Sequence, residues 1–208
     1  MPSLQQTRWT ALWSRLGARG DGRQIFHQLL STYSASSRAY HNAAHIQHCL
    51  TELDGSRGLA QRPDEIEAAL WFHDAVYVPG RSDNEHRSGE LAHNALSEAG
   101  VNLDAVQRVV AMVLATRHEA PVDDLDTQLV CDIDLSILGS APAQFDEFER
   151  QIRQEYLRVP SPLYRRSRAA VLRRFLLRPS IYQTAAFRAR YETAARENLE
   201  RLLVALSK

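Results

Sequence analysis

The chain has 208 residues, 44% of them hydrophobic, with 9 Gly and 8 Pro, a composition that suits one globular domain with a sizeable core. Its 25 basic and 25 acidic residues cancel, which argues against a protein that grips nucleic acid through an overall positive field. No apolar run approaches the roughly 18 residues of a membrane span, and Met1-Pro2-Ser3-Leu4-Gln5-Gln6 lacks the features of a secretory signal, so a soluble cytoplasmic protein without a membrane partner is expected.

Helical periodicity dominates, and no segment alternates as a strand does. The spacing predicts helices over residues 4–17, 21–35, 43–54, 64–77, 84–99, 103–117, 125–138, 143–158, 162–177 and 181–206. Short punctuation divides them, such as Gly20-Asp21-Gly22, Pro79-Gly80 and Pro121. Without a repeat or a long linker, the expectation is an all-α, single-domain irregular bundle over residues 1–208. Charge is uneven along it. Residues 1–149 hold 21 acids and 11 bases, a balance of −10, and residues 150–208 hold 4 acids and 14 bases, a balance of +10. Val171, Leu172, Phe175 and Leu176 give the basic tail an apolar face. It is therefore expected to pack back on the body from about residue 150 rather than serve as a nucleic-acid arm.

Several stretches carry chemistry. In Tyr40-His41-Asn42-Ala43-Ala44-His45, Asn42 is a good N-cap, which puts His41 just outside a helix and His45 in its first turn. Pro63-Asp64-Glu65 reads as a helix start. Ile66, Ala69, Leu70, His73 and Val76 then recur on one stripe, with Asp74 on its flank. A carboxylate beside a half-buried imidazole is costly unless compensated, and a divalent cation compensates both. Glu85 follows Ser82 by three, a capping-box spacing that coexists with a catalytic reading. His118 ends an apolar helix, where a cation suits the negative helix end or approaches a site. Asp132 and Asp134 sit in the apolar run Leu129–Leu138. They either meet distant arginines or close a metal site. Residues 150–178 hold nine arginines against one acid, Glu155, a solvated face or a phosphate grip. Cys49 and Cys131 suggest no disulfide framework, and His27, His48, His86 and His93 read as surface or packing residues.

Taken in order, His45, His73-Asp74 and a downstream Asp follow the H…HD…D pattern of the HD-superfamily metal-dependent phosphohydrolases, which the chain resembles. Tyr-His-Asn-x-x-His also looks like a stretch of the cyclic-nucleotide phosphodiesterases, distant members of that fold. A bacterial group of predicted HD phosphohydrolases of about this length is more similar still. The likeness lies in Tyr40–His45, Phe72-His73-Asp74-Ala75-Val76-Tyr77, Asn84-Glu85-x-x-Ser88, Asp132-x-Asp134-Leu135-x-Ile137-Leu138-Gly139 and Arg153-x-Glu155-Tyr156…Arg168-x-x-Val171-Leu172. It spans residues 8 to 203 or so.

The resemblance implies a divalent ion (Mn, Mg, Fe, Ni or Zn) held by His45, His73, Asp74 and one of Asp132 or Asp134, with Asp134 favoured by the superfamily pattern. Asp132 would then be an outer or substrate-side carboxylate, and either it or Glu85 would take the attacking water's proton. His41 or His118 would protonate the leaving oxygen, and Arg153, Tyr156 and Arg168 would meet the substrate. The expected reaction is hydrolysis of a small molecule's phosphate ester, foremost a nucleotide, with no nucleic-acid partner and a homo-oligomer left open. Two alternatives are an HD-type di-iron oxygenase and a non-catalytic metal or nucleotide sensor.

Overall fold

The computed structural model of the chain describes residues 4–207. Among these residues there are ten α-helices and no strand: α1 (Leu4–Arg15), α2 (Arg23–Tyr33), α3 (Ala43–Ser56), α4 (Pro63–Phe72), α5 (Asn84–Glu98), α6 (Leu103–Ala115), α7 (Leu125–Leu135), α8 (Pro142–Glu155), α9 (Ser161–Leu176) and α10 (Ala185–Leu206). The expected all-α bundle is what forms. No helix among these residues is long and apolar enough to cross a membrane.

The sequence of α4 explains its place. Every residue from Glu65 to Phe72 is buried, so no face is left for water, and such a helix must lie inside the others. It packs against α1, α3, α5, α6 and α7. Its two buried carboxylates are satisfied by arginines from the surrounding shell. Glu67 receives Arg8, Arg15 and Arg57, and Glu65 receives Arg108. Trp9, Phe26, Trp71 and Phe72 cluster at the α1–α2–α4 junction with ring centroids 5.5–6.2 Å apart, a geometry that adds to burial alone.

α4 ends earlier than the stripe predicts. It stops at Phe72, and residues 73–76 turn instead of completing a further helical turn through Val76. α5 holds this turn from outside. Ser88 Oγ accepts from Val76 N–H (2.9 Å), while the Asn84 amide both accepts from Val78 N–H and donates to Val78 C=O, each at 3.0 Å. This clamp also displaces the expected capping box. The α5 cap is Asp83, with no side-chain cap bond, rather than Ser82.

The basic tail closes on the body. Arg190 pairs with Glu52, Arg201 with Asp146 and Arg168 with Glu149. α10 crosses the 3-10 turn Ser136–Gly139 so closely that a Cβ on Gly139 would lie 2.8 Å from the Tyr191 carbonyl oxygen. Asn198 Nδ2 donates to the Leu138 and Ser140 carbonyls there, and Tyr182 Oη to that of Leu135. The far end of α7 is therefore fixed by the tail.

Candidate metal centre and its cavity

Three elements bring their side chains to one point. Asn42 caps α3, accepting from Ala44 N–H at 2.8 Å and His45 N–H at 3.4 Å, and so sets His45 in the first turn as the sequence predicts. The break after Phe72 sets the second pair. His73 still donates its N–H to the Ala69 carbonyl at 2.9 Å, the chain turns away from the helix beyond it, and both His73 and Asp74 reach the same point. The end of α7 supplies Asp134.

The result is a tight polar knot. His45 Nε2 and His73 Nε2 lie 3.0 Å apart. Asp74 Oδ2 is 3.0 Å from His73 Nε2 and 3.5 Å from His45 Nε2, and Asp134 Oδ1 is 3.2 Å from His45 Nε2 and 3.5 Å from His73 Nε2. His73 Nδ1 lies 2.9 Å from the Leu70 carbonyl, which it can satisfy only as a donor, so its Nε2 offers a lone pair to the centre when the ring is neutral. Donor atoms of His45, Cys49, His73 and Asp134 lie within 4.8 Å of one another, a group able to hold a metal ion. Cys49 sits one turn along α3, its Sγ 3.7 Å from His45 Nε2. Burial opposes charge on Cys49, His73, Asp74 and Asp134. Even so, Asp74 and Asp134 raise the His73 pKa well above its ordinary value, and the facing imidazoles hold both carboxyls below theirs. Two ring nitrogens beside two carboxylates make an N and O donor set of the kind that could hold a divalent ion such as Zn, Fe, Mn or Ni.

A cavity of about 300 Å³ lies over this centre, and His41, Asp74, His118 and Asp134 reach it. His41 Nδ1 is 2.6 Å from Glu155 Oε2, its ring stacks on Tyr77 at 3.9 Å, and Glu155 Oε1 accepts from the Tyr40 and His41 N–H groups. Burial would raise the Glu155 pKa, but its bonds to His41 and the two N–H groups lower it. His118 does not end a helix. It follows α6 in the left-handed region at φ 53°, an uncommon conformation for a residue with a side chain. Its carbonyl accepts from Arg178, and its Nε2 lies 2.8 Å from Asp134 Oδ2. Glu85, half-buried in the first turn of α5, and Tyr156 also line the cavity. Tyr40 lines it as well, and its buried hydroxyl has no hydrogen-bond partner among the described residues.

Other expected site residues are placed elsewhere. Asp132 is fully buried, and its two oxygens accept from Gln183 and Thr184 N–H, each at 2.7 Å, ahead of α10. Residues two apart on a helix face nearly opposite ways, so Asp132 cannot share the centre with Asp134. Its expected role as proton acceptor gives way to holding the chain that enters α10. Arg153 is likewise not at the cavity. It donates to the Tyr156 and Val159 carbonyls and to Ser161 Oγ, tying the α8–α9 turn. Arg168 lines the cavity, but its guanidinium is engaged by Glu149. Arg117 and Arg174 reach the cavity too.

Sequence reasoning passed over three residues. Glu155, the single acid among the tail's first arginines, was the one legible signal. Cys49 stands at helical spacing from His45 but in a wholly apolar setting. Arg38 gave no signal, yet its buried guanidinium donates to the carbonyls of His41, Asp74 and Ala75 and so fastens the His41 and Asp74 segments together. The chain matches no family model, no curated protein and no solved structure.

Proposed function

We propose that the chain is a metal-dependent phosphohydrolase of the HD type, acting on a phosphate ester of a small molecule, with a nucleotide the class that the sequence resemblance implies. The observation that carries the reading is the meeting of two imidazole nitrogens 3.0 Å apart with the Asp74 and Asp134 carboxylates at the floor of an open cavity. His45, His73, Asp74 and Asp134 would hold the ion. When bound, a divalent ion there supplies Lewis acidity and a hydroxide source near neutral pH.

The chain's own residues provide the rest. Glu155 fixes His41 through Nδ1 and leaves Nε2 to carry a proton toward the leaving oxygen. His118 holds Asp134 in orientation from its far oxygen. Glu85, at the cavity edge and near a helix N-terminus, is placed to accept a proton from water. Arg117 and Arg174 offset phosphate charge. Arg174 has no ion-pair partner among the described residues, whereas Arg117 shares Glu119 at 3.0 Å.

The test is a panel of phosphate esters assayed with Mn, Mg, Fe, Ni and Zn, beside elemental analysis of the purified protein. Stoichiometric metal and metal-dependent phosphate release, both lost in Asp74→Ala, are expected. An Asp74→Ala protein that keeps its metal and hydrolyses substrate would overturn the assignment. Oxygen consumption by iron-loaded protein without phosphate release would mark the di-iron oxygenase instead.

A further inference from the structure

The cavity over the metal centre offers charge for a phosphate, but it does not say what the phosphate is attached to. Beside it lies a second cavity of about 340 Å³, bounded by α8, α9 and the turn between them, and Ile152, Tyr156, Arg168 and Val171 line both. Val159, Leu163 and Tyr164 complete most of its surface, with Leu163 55% exposed at its rim.

The polar groups around this second cavity are mostly spoken for. The Arg168 guanidinium is held by Glu149, and the Tyr156 hydroxyl accepts from Gly80 N–H at 3.3 Å. What remains is the Tyr164 hydroxyl, whose pKa burial pushes up to about 12, and the exposed Ser167. The Tyr156 and Tyr164 rings stand 6.0 Å apart and tilted by 46°, with the Arg153 guanidinium 4.7 Å from the Tyr164 ring centre, and both rings add aromatic surface to the lining.

We propose that this second cavity receives the organic group of the substrate, and that this group is apolar or aromatic, so that the ester is a phosphate of a hydrophobic alcohol rather than a nucleotide. The inference rests on the phosphohydrolase reading and specifies its substrate class. A nucleobase would bring several ring and exocyclic polar atoms against Val159, Leu163 and Val171, where they lose water without gaining partners. A naphthyl or hydrocarbon group loses nothing there and gains burial. The reaction balances as ordinary hydrolysis. The bond from phosphorus to the organic oxygen breaks and one to the water oxygen forms. One of the water's protons ends on the leaving alcohol and the other on phosphate or solvent.

The test compares 1-naphthyl phosphate, glycerol 2-phosphate and adenosine monophosphate on the metal-loaded protein, with 1-naphthol binding followed separately by fluorescence. Leu163→Glu and Ser167→Trp alter exposed positions, so both should fold, and thermal melting and metal content check that they do. The unmutated protein should prefer the naphthyl ester through a lower KM. Each variant should reduce that preference over glycerol 2-phosphate by about tenfold and weaken naphthol binding comparably. Preference for adenosine monophosphate, no naphthol binding to the unmutated protein, or variants that leave both readouts unchanged would overturn the proposal. If no ester is turned over but naphthol binds and the variants weaken it, the cavity assignment stands and the phosphohydrolase reading falls.

Discussion

α7 presents three carboxylates in two kinds of region, Asp126 and Asp132 fully buried and Asp134 partly exposed to the cavity. At its start and on its α10 side, Asp126 and Asp132 accept from backbone N–H groups: Gln61 and Arg62 ahead of α4, and Gln183 and Thr184 ahead of α10. On its α3 side, Asp134 pairs with imidazoles, those of His45, His73 and His118. The first two are complete as they stand, since each oxygen has a fixed donor that belongs to the fold. The third is surrounded by convergent titratable side chains, a group that could hold a metal ion. A buried carboxylate is thus no sign of a site by itself. What separates the two regions is whether its partners are backbone donors or convergent titratable groups.

The sharpest way to break this comparison is through the ligands. His45→Ala, His73→Ala, Asp74→Ala and Asp134→Asn should each weaken metal retention by more than about a hundredfold. Combining any two should add little, because the site acts as a unit. Metal titration of the purified variants checks this, and additive losses in the double variants would dissolve the unit.

Asp132→Ala should do the opposite. It leaves two buried N–H groups without acceptors, a cost of about 3 kcal/mol, or roughly 6–12 °C in Tm for a chain of this size. Metal content per folded molecule should be unchanged. A variant that melts normally but loses its metal would reverse the roles of the two aspartates.

Arg174→Ala sharpens the contrast between engaged and available arginines. Arg168 serves Glu149, whereas Arg174 lines the cavity with no ion-pair partner among the described residues. Its loss should raise KM for phosphate esters by about tenfold, the scale of one charge-assisted contact, with metal content intact. Steady-state kinetics decide it, and an unchanged KM would remove Arg174 from the substrate's surroundings.

The smallest expected effect is Glu155→Gln. The folded-state pKa of Glu155 is lowered from its ordinary 4.5. The unfolded chain therefore binds more protons between the two values, and stability rises with pH across that window. The contribution is full above 4.5 and is lost as pH falls through the lowered value. Unfolding followed from pH 6 to pH 2 should show the variant's deficit shrinking as the solution is acidified. A deficit independent of pH would mean that the His41–Glu155 contact does not depend on the carboxylate's charge.

Much of the bundle was legible because helical periods and caps are local. Asn42 as the α3 cap, Pro63 at the α4 start and the ten helical segments follow from spacing and turn chemistry over a few residues. The order of His45, His73-Asp74 and a downstream aspartate, Asp132 or Asp134, was legible for the same reason, as residue types out of keeping with their apolar surroundings. The errors fall where a distant element overrides the local signal. The stripe through Val76 is good helix, but Ser88 and Asn84 of α5 take over the peptide groups of Val76 and Val78 and hold them in a turn.

By itself the sequence determined an all-helical chain in which imidazoles and carboxylates recur on apolar helix stretches. Only the tertiary structure decided between Asp132 and Asp134. Both lie in the same apolar run two residues apart, and their difference is one of helix face: α3 and α4 stand on one side and the start of α10 on the other. It also paired His41 with Glu155 across 114 residues and gave Arg168 to Glu149 rather than to the cavity. Those outcomes depend on which backbone ends and charges folding carries to each face of a helix, and periodicity over a few residues holds no record of that.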